Sequence, residues 1–408
     1  MVRTAVISTG SELLHGAVQD TNARFISSLL FPTDFRVMLF LSVADDPDHI
    51  EYALRQAMER SDLVIITGGL GPTEDDYTLQ VLQSLIGFQT TIHEEGRQRM
   101  ESFFGSLKMV PLEGDLKMVT VPSGADLFLN EVGLATGFTL RSGGIRFVVM
   151  PGVPREMEPM FANKVLPFLS REYNLKPREH TVFRTILLRE AEVNNRIKGM
   201  DIPFAKLEWG ISARMGMNVI TFVESGAGGF PSQRIREEME RIFGDALIDG
   251  ESLEEEVLRL LEEKGLTLAT AESCTGGLIA RRLTDVPGSS RCYLGGAVTY
   301  SNVSKTSLLS VPEEVLMKFG AVSPETATVM AAGALRKFGS DLAVSTTGIA
   351  GPGGGTPQKP VGMVCFSLAS ARGTQSWTEY MNGDRERIRH FASQFALNRI
   401  RLHLMGLN

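Results

Sequence analysis

A chain of 408 residues, 43% hydrophobic and 22% charged, is long enough for two or three buried cores and is neither a fibrous repeat nor a disordered chain. Its net charge of -7, without a Lys/Arg-rich stripe, argues against nucleic-acid binding, which needs clustered cations to neutralise phosphates. Three cysteines without Cys-x-x-Cys spacing (Cys274, Cys292 and Cys365) and six scattered histidines suggest neither a disulfide framework nor a zinc site.

The opening Met1-Val2-Arg3-Thr4-Ala5-Val6-Ile7-Ser8 reads as a strand, not as a cationic and apolar secretory leader, and no apolar run nears the roughly 18 residues that span a bilayer. A cytoplasmic protein is expected. Across 1–170, apolar strands (Thr4 to Thr9, Val37 to Val43, Asp62 to Thr67, Arg146 to Met150) alternate with helices, one after Asn22 and one capped by Asp46-Pro47. This alternation predicts an α/β fold with a doubly wound, mostly parallel sheet and a ligand site at the strand carboxyl ends. Residues 171–250 change to a small α+β layer of βαββα order. Its strands are near Val182 to Leu188, Lys206 to Ala213 and Asn218 to Val223, its helices near Glu192 to Lys198 and Gln233 to Phe243, and Ser225-Gly-Ala-Gly-Gly229 is a flexible turn. A third segment, 251–408, opens on a Ser252/Glu255 capping box for a helix ending at Gly265. Strands at Leu266 to Ala271, Tyr293 to Tyr300, Asp341 to Thr347, Val361 to Leu368 and Gln375 to Met381 follow, with helices from Thr275, from Ser323-Pro324 and from Asp384.

Four fragments of that third segment carry chemistry. Ala271-Glu272-Ser273-Cys274-Thr275-Gly276-Gly277 sets Ser273 where a strand turns into a helix, exposed as a nucleophile beside free N–H groups that can hold an oxyanion, or as a plain helix cap. Tyr300-Ser301-Asn302-Val303-Ser304-Lys305 offers a lysine that is either a solvated charge or, if buried, a base of depressed pKa, with Tyr300 able to relay the proton. The loop Ser345-Thr346-Thr347-Gly348-Ile349-Ala350-Gly351-Pro352-Gly353-Gly354-Gly355-Thr356 is an anion nest or an ordinary turn, and it lacks the Gly-Lys-Ser/Thr of a P-loop. In Asn382-Gly383-Asp384-Arg385-Glu386-Arg387-Ile388-Arg389, Arg385 and Arg387 stand at a helix N-terminus, against the dipole, which an anionic ligand or a solvated face would explain. Cys274 is read as packing, because thiolate chemistry needs a lowered pKa.

In the first segment, Ser8-Thr9-Gly10-Ser11-Glu12, Asp20-Thr21-Asn22 and Thr67-Gly68-Gly69-Leu70-Gly71-Pro72-Thr73-Glu74-Asp75-Asp76 all fall at strand carboxyl ends. Glycines there admit phosphates. Glu12, Asp75 and Asp76 are candidate oxygen ligands for a divalent cation, or capping acids.

Together these motifs resemble the competence/damage-inducible CinA family. Ala-Glu-Ser-x-Thr-Gly-Gly, Tyr-Ser-Asn-x-x-Lys, Thr-Gly-Ile-Ala-Gly-Pro-Gly-Gly-Gly and Gly-Asp-Arg match its carboxy-terminal domain, and Gly-Gly-Leu-Gly-Pro-Thr-x-Asp-Asp with Pro151-Gly152-Val153-Pro154-x-Glu156 its molybdopterin-binding-like amino-terminal domain. Gly133-Leu134-Ala135-Thr136-Gly137 and Leu188-Arg-Glu-Ala-Glu192 depart from the family pattern.

The resemblance implies a pyridine-nucleotide recycling hydrolase. Over 251–408 a cofactor-free nicotinamide mononucleotide deamidase uses Ser273, Lys305 and Tyr300, with Thr275, Gly276, Gly277, Thr347, Gly348, Gly351 and Arg385 or Arg387 on the substrate. Over 1–170 an ADP-ribose pyrophosphatase binds its nucleotide at Gly10, Ser11, Asn22, Thr67, Gly68, Gly69, Gly71 and Thr73. Glu12, Asp75 and Asp76 would hold Mg, Mn or Co. Expected partners are nicotinamide mononucleotide, ADP-ribose and a second copy of the chain. A first domain that binds a pterin or nucleotide without turnover, or an interaction role in competence or DNA repair, are the other readings.

Overall fold

The computed structural model describes residues 1–174, 178–214, 216–225 and 229–407, and the centre of the turn expected at Ser225–Gly229 lies outside them. The chain divides into two compact units, Met1–Glu179 and His180–Asn408. Among the described residues no helix is long and apolar enough to cross a membrane.

In the first unit, β1 (Val2–Thr9), β2 (Phe35–Val43) and β3 (Leu63–Thr67) precede a small antiparallel pair, β4 (Thr90–Ile92) and β5 (Thr120–Pro122), and then β6 (Asp126–Phe128), β7 (Gly137–Ser142) and β8 (Ile145–Met150). The main sheet runs β2-β1-β3-β8-β7-β6. Its first four strands are parallel and the last two antiparallel. The central strands β1, β3 and β8 are almost wholly buried because both faces are covered, with successive side chains pointing to opposite sides, whereas the edge strand β2 alternates buried or half-buried with exposed residues. Val64 and Ile66 pack with Ile50 and Leu54 of the helix Pro47–Arg60, while Leu63 and Ile65 pack with Ile26 and Leu30 of the helix Thr21–Leu30. Asp46 starts the first of these helices by accepting from Asp48 and His49 N–H groups, with Pro47 at its first position. The doubly wound, mostly parallel sheet is as the alternation predicted.

The second unit holds two sheets. An antiparallel one, β10-β11-β9-β12, comprises β9 (His180–Ile186), β10 (Leu207–Arg214), β11 (Met217–Glu224) and β12 (Leu247–Ile248). Phe183, Phe222, Ile235 and Met239 are among its core residues, closed by the helices Glu190–Lys198 and Ser232–Phe243. The other is five-stranded, β14-β13-β15-β16-β17: β13 (Leu268–Glu272), β14 (Tyr293–Val298), β15 (Leu342–Gly348), β16 (Met363–Ser370) and β17 (Gly373–Tyr380). β13 is parallel to both neighbours, and β16 and β17 extend the sheet antiparallel.

Every residue of β13 is buried. Ala269 and Ala271 face the helix Pro324–Phe338, whose Met330 and Ala334 join them, and Leu268 faces Ile388, Ala392 and Ala396 of the helix Arg385–Leu404. The helix expected from Thr275 begins only at Leu278, because Gly276 (φ 61°) and Gly277 (φ 89°) hold the left-handed conformation and cannot start it. The helix Leu253–Lys264 starts at Ser252 and ends at Gly265 as expected, Ser252 accepting from Glu255 N–H and Gly265 in the left-handed region, but the expected capping box is not reciprocal, since the Glu255 carboxylate accepts from Glu251 N–H.

One buried ion pair braces this unit. Arg401 Nε meets Glu256 Oε1 at 2.6 Å, with side chains 1% and 3% exposed, and the same guanidinium donates to the carbonyls of Asp245 and Leu247. Removing one partner strands the other charge in the interior, so Arg401→Met should cost on the order of 3–5 kcal/mol in equilibrium urea unfolding. A loss below about 1 kcal/mol would show that the carboxylate finds water instead.

Candidate active site

Ser273 stands one residue past β13. The turn that follows is organised by Glu272, a buried carboxylate that accepts from Ile279 N–H at 3.1 Å and Ala280 N–H at 2.8 Å. An anion at a helix N-terminus is favoured by both the unpaired donors and the dipole. The sequence leads one to expect free N–H groups here for an oxyanion, but these two are taken by Glu272, and Gly276 N–H by the Ser273 carbonyl at 3.1 Å. Among the described residues Gly277 N–H is left without a backbone partner. Ser273 N–H donates to Thr346 O at 2.9 Å, and the Thr275 and Thr346 hydroxyls lie 2.7 Å apart, fastening the turn to β15.

Lys305 comes to this serine from the next crossover. Ser301 and Ser304 form a reciprocal cap on the helix Asn302–Leu309, which sets Lys305 one turn in, 1% exposed. Its Nζ donates to Thr299 O at 2.8 Å and to Ser273 Oγ at 3.1 Å. Thr299 N–H in turn donates to Glu272 O at 2.7 Å, so both partners of the amine are fixed by β13. Burial pushes the Lys305 amine below its ordinary 10.5, since the charged form is the one that loses water. Burial also pushes the neighbouring Cys274 thiol up to about 12. The pair therefore has a base-competent amine beside a hydroxyl, with the adjacent thiol held protonated.

Tyr300 does not join them through a hydrogen bond. It is 63% exposed, and its hydroxyl accepts from Arg385 Nη2 at 2.9 Å, because β14 ends at Val298 and the chain turns outward before the serine cap. Its structural role is to hold Arg385, whose Nη1 donates to Gly351 O at 2.9 Å in the glycine-rich loop. Arg387 is also displaced from the expectation. Two residues further along a helix is the far side, and its guanidinium lies over the Phe391 ring at 5.5 Å, in a separate cavity with Leu187 and Asn218. Thr347 spends its hydroxyl on Ala321 O at 2.6 Å, and Gly348 has Met363 O 2.8 Å from where a Cβ would stand, so both act as close-packed backbone at the loop entry.

The first unit carries its own cavity of about 750 Å³ at the carboxyl ends of β1, β3 and β8. Gly10, Asn22, Thr67, Gly68, Gly69, Gly71 and Thr73 line it, as do Glu12, Asp75 and Asp76. Ser11 does not; its N–H and hydroxyl are engaged with Asp45. The three acids share the cavity without converging: Glu12 folds back over Gly10, and Asp76 accepts from the Thr73 hydroxyl at 2.6 Å and N–H at 2.9 Å. Neither Asp75 nor Asp76 caps a helix, since the next one starts at Thr78 after an uncapped Tyr77. Among the described residues no three His, Cys, Asp or Glu side chains are gathered to hold a metal ion. Two buried polar atoms of lining residues, Thr9 Oγ1 and Asn22 Oδ1, have no partner, as a site awaiting a ligand would leave them.

Two family models match the chain: "Probable molybdopterin binding domain" over 5–171 and "CinA C-terminal domain" over 250–404. A CinA-like protein of Geotalea uraniireducens is 38% identical across 100% of this chain and 98% of its own. The chain belongs to the CinA family. Another CinA-like protein, from Dictyoglomus thermophilum, is 38% identical with both chains fully covered. The crystal structure of competence/damage inducible protein CihA from Agrobacterium tumefaciens covers 38% of this chain and 95% of its own at 43% identity, with a TM-score of 0.35.

Arg389 is a further residue of this CinA-family site, one that its motifs do not mark. Its Nη2 and Nε donate to Thr275 O at 2.8 and 3.3 Å, and a methyl group on Gly276 would sit 3.3 Å from Nη2. Spacing held the signal: Arg385 and Arg389 are four apart, hence on one helix face, whereas Arg387 is not. Thr299 and Glu272 act through a carbonyl and a buried carboxylate, for which composition gives no mark. Because the Cys274 thiol is buried and stays protonated, the native protein at pH 8 should leave it unalkylated by iodoacetamide. Peptide mass mapping before and after denaturation checks this, and native labelling at Cys274 would reopen the choice of nucleophile.

Proposed function

We propose that the carboxy-terminal site is a serine amidase that converts nicotinamide mononucleotide to nicotinate mononucleotide and ammonia, within a recycling hydrolase of pyridine nucleotides. The observation that carries the reading is the 3.1 Å contact between Ser273 Oγ and the buried Lys305 Nζ. Neutral Lys305 takes the hydroxyl proton as Oγ attacks the carboxamide carbon, forming a tetrahedral adduct. The C–N bond then breaks, ammonia leaves with the proton returned by Lys305, and an acyl-serine ester remains. Water, deprotonated by the same amine, attacks that ester; the acid is released and the Ser273 hydroxyl restored. Arg385 and Arg389, which donate to neutral oxygens of Gly351, Tyr300 and Thr275, offer positive charge at the mouth of the turn for the substrate phosphate.

For the amino-terminal cavity the reading is hydrolysis of ADP-ribose to AMP and ribose 5-phosphate. Carboxylates among Glu12, Asp75 and Asp76 would hold Mg, Mn or Co, and the cation would neutralise charge on a diphosphate. Such an ion, arriving on substrate phosphates, needs one or two carboxylates only, which suits acids that are not gathered into a three-ligand group. That same dispersal favours a second reading for this domain, a binding module without turnover.

Ser273→Ala should abolish ammonia release from nicotinamide mononucleotide, and Lys305→Met should lower kcat by roughly 10²–10⁴. Full activity in either variant would remove the mechanism. Since the amine must be neutral, kcat/KM should rise as pH increases through the depressed Lys305 value and level off below 10.5; a profile flat with pH would contradict a lysine base. Arg389→Ala should cost roughly ten- to a hundred-fold in kcat without moving that pH midpoint, because it loosens the turn and not the base. In the first domain, metal-dependent AMP release from ADP-ribose should vanish in Asp75→Asn; binding without AMP release would select the module.

A further inference from the structure

We propose that Thr299 is the positioning residue of the base: its hydroxyl accepts the third N–H of Lys305 once the amine has taken the Ser273 proton, and so sets the pH at which the site works. The inference rests on the reading of Lys305 as general base and adds what tunes it.

An ammonium has three N–H groups, an amine two and a lone pair. To take the Ser273 proton the lone pair must face Oγ; the O–H bond breaks, a third N–H forms, and the amine becomes an ammonium. Two of the three N–H groups then lie toward Ser273 Oγ, 3.1 Å away, and Thr299 O, 2.8 Å away. Among the described residues no hydrogen bond takes the third, and with Lys305 1% exposed it cannot turn to bulk water. An N–H left bare on a buried cation costs more than one left bare on a neutral amine.

The residue that already holds the amine carries the missing acceptor. Thr299 is fully buried, and among the described residues of the second unit its Oγ1 is the one buried side-chain oxygen without a partner. The backbone of Thr299 is fixed on both sides, its N–H donating to Glu272 O at 2.7 Å and its carbonyl accepting from Lys305. Strand alternation sets its side chain on the side of Ala297, which packs with Leu309 of the helix that carries Lys305. The hydroxyl thus lies toward that helix, and the proposal asks only for a turn of one side chain or one bridging water.

No charged group competes for this part. Glu272, at the end of β13, is turned to the Ile279 and Ala280 N–H groups, and Cys274 in the next turn stays protonated. Tyr300 is bonded to Arg385, and Arg389 to Thr275 O. The helix Pro324–Phe338 buries no titratable side chain. A neutral oxygen therefore limits how far burial depresses the amine, keeping it nearer the operating pH, where a general base transfers protons best.

The test is an NMR titration, without substrate, of the full-length protein carrying carbon-13 at lysine Cε; the Lys305 signal is the one missing from Lys305→Met. Thr299→Val removes the acceptor and disfavours the ammonium further, so the midpoint should fall by roughly one pH unit. Thr299→Ser keeps the hydroxyl and should titrate as the wild type does. Should the valine variant not fold, Thr299→Ala is read in its place. A midpoint that stays or rises in the valine or alanine variant, or that falls as far in Thr299→Ser, would overturn the proposal. Ammonia release from nicotinamide mononucleotide, assayed in parallel, reports separately: its absence in the wild type strikes the amidase reading, while the titration still decides the role of Thr299.

Discussion

The chemistry proposed for the second unit depends on a single amine kept out of water. Lys305 is buried with a carbonyl and a hydroxyl as its hydrogen-bond partners, and a lysine without a paired anion is costly to keep charged in such a place. The surrounding structure is arranged to hold that condition. Thr299 is pinned to Glu272, Ser273 to Thr346, and the helix bearing Lys305 is closed by its serine cap. Each constraint removes a route by which the amine might swing to solvent and regain its ordinary basicity.

Glu272 illustrates how one charged side chain can serve without touching substrate. By accepting from two N–H groups of the helix behind it, the carboxylate fixes the helix N-terminus relative to β13, and Ser273 lies on the chain between them. The two left-handed glycines then have both ends anchored, so their intrinsic freedom does not become disorder at Ser273. The same arrangement consumes the Ile279 and Ala280 N–H groups, so neither is open to an oxyanion.

Much of this was legible before any coordinates, and the reasons are particular. Strand β3 declared itself by an unbroken apolar run, and Asp46-Pro47 by its capping chemistry. Ser273 and Lys305 were marked by residue type at strand ends, although they are 32 positions apart and only the crossover of the sheet makes them neighbours. What failed was direction. Nothing local states that the chain turns outward at Tyr300, nor that Arg387 looks away, except the helical period, which favours Arg389 as the partner of Arg385. The acids of the first unit were likewise assigned by proximity along the strand ends; hydrogen bonds to Thr73 and a fold back over Gly10 disperse them.

The helix Arg385–Leu404 has twenty residues, about 30 Å of continuous rod at the usual rise. Its first turns grip the Thr275 and Gly351 carbonyls, and near its last turn Arg401 grips the carbonyls of Asp245 and Leu247 beside β12. A rod clamped at both ends cannot bend cheaply, so it transmits. The small four-stranded sheet and the turn that carries Ser273 share no strand, and this one rod is fastened to both.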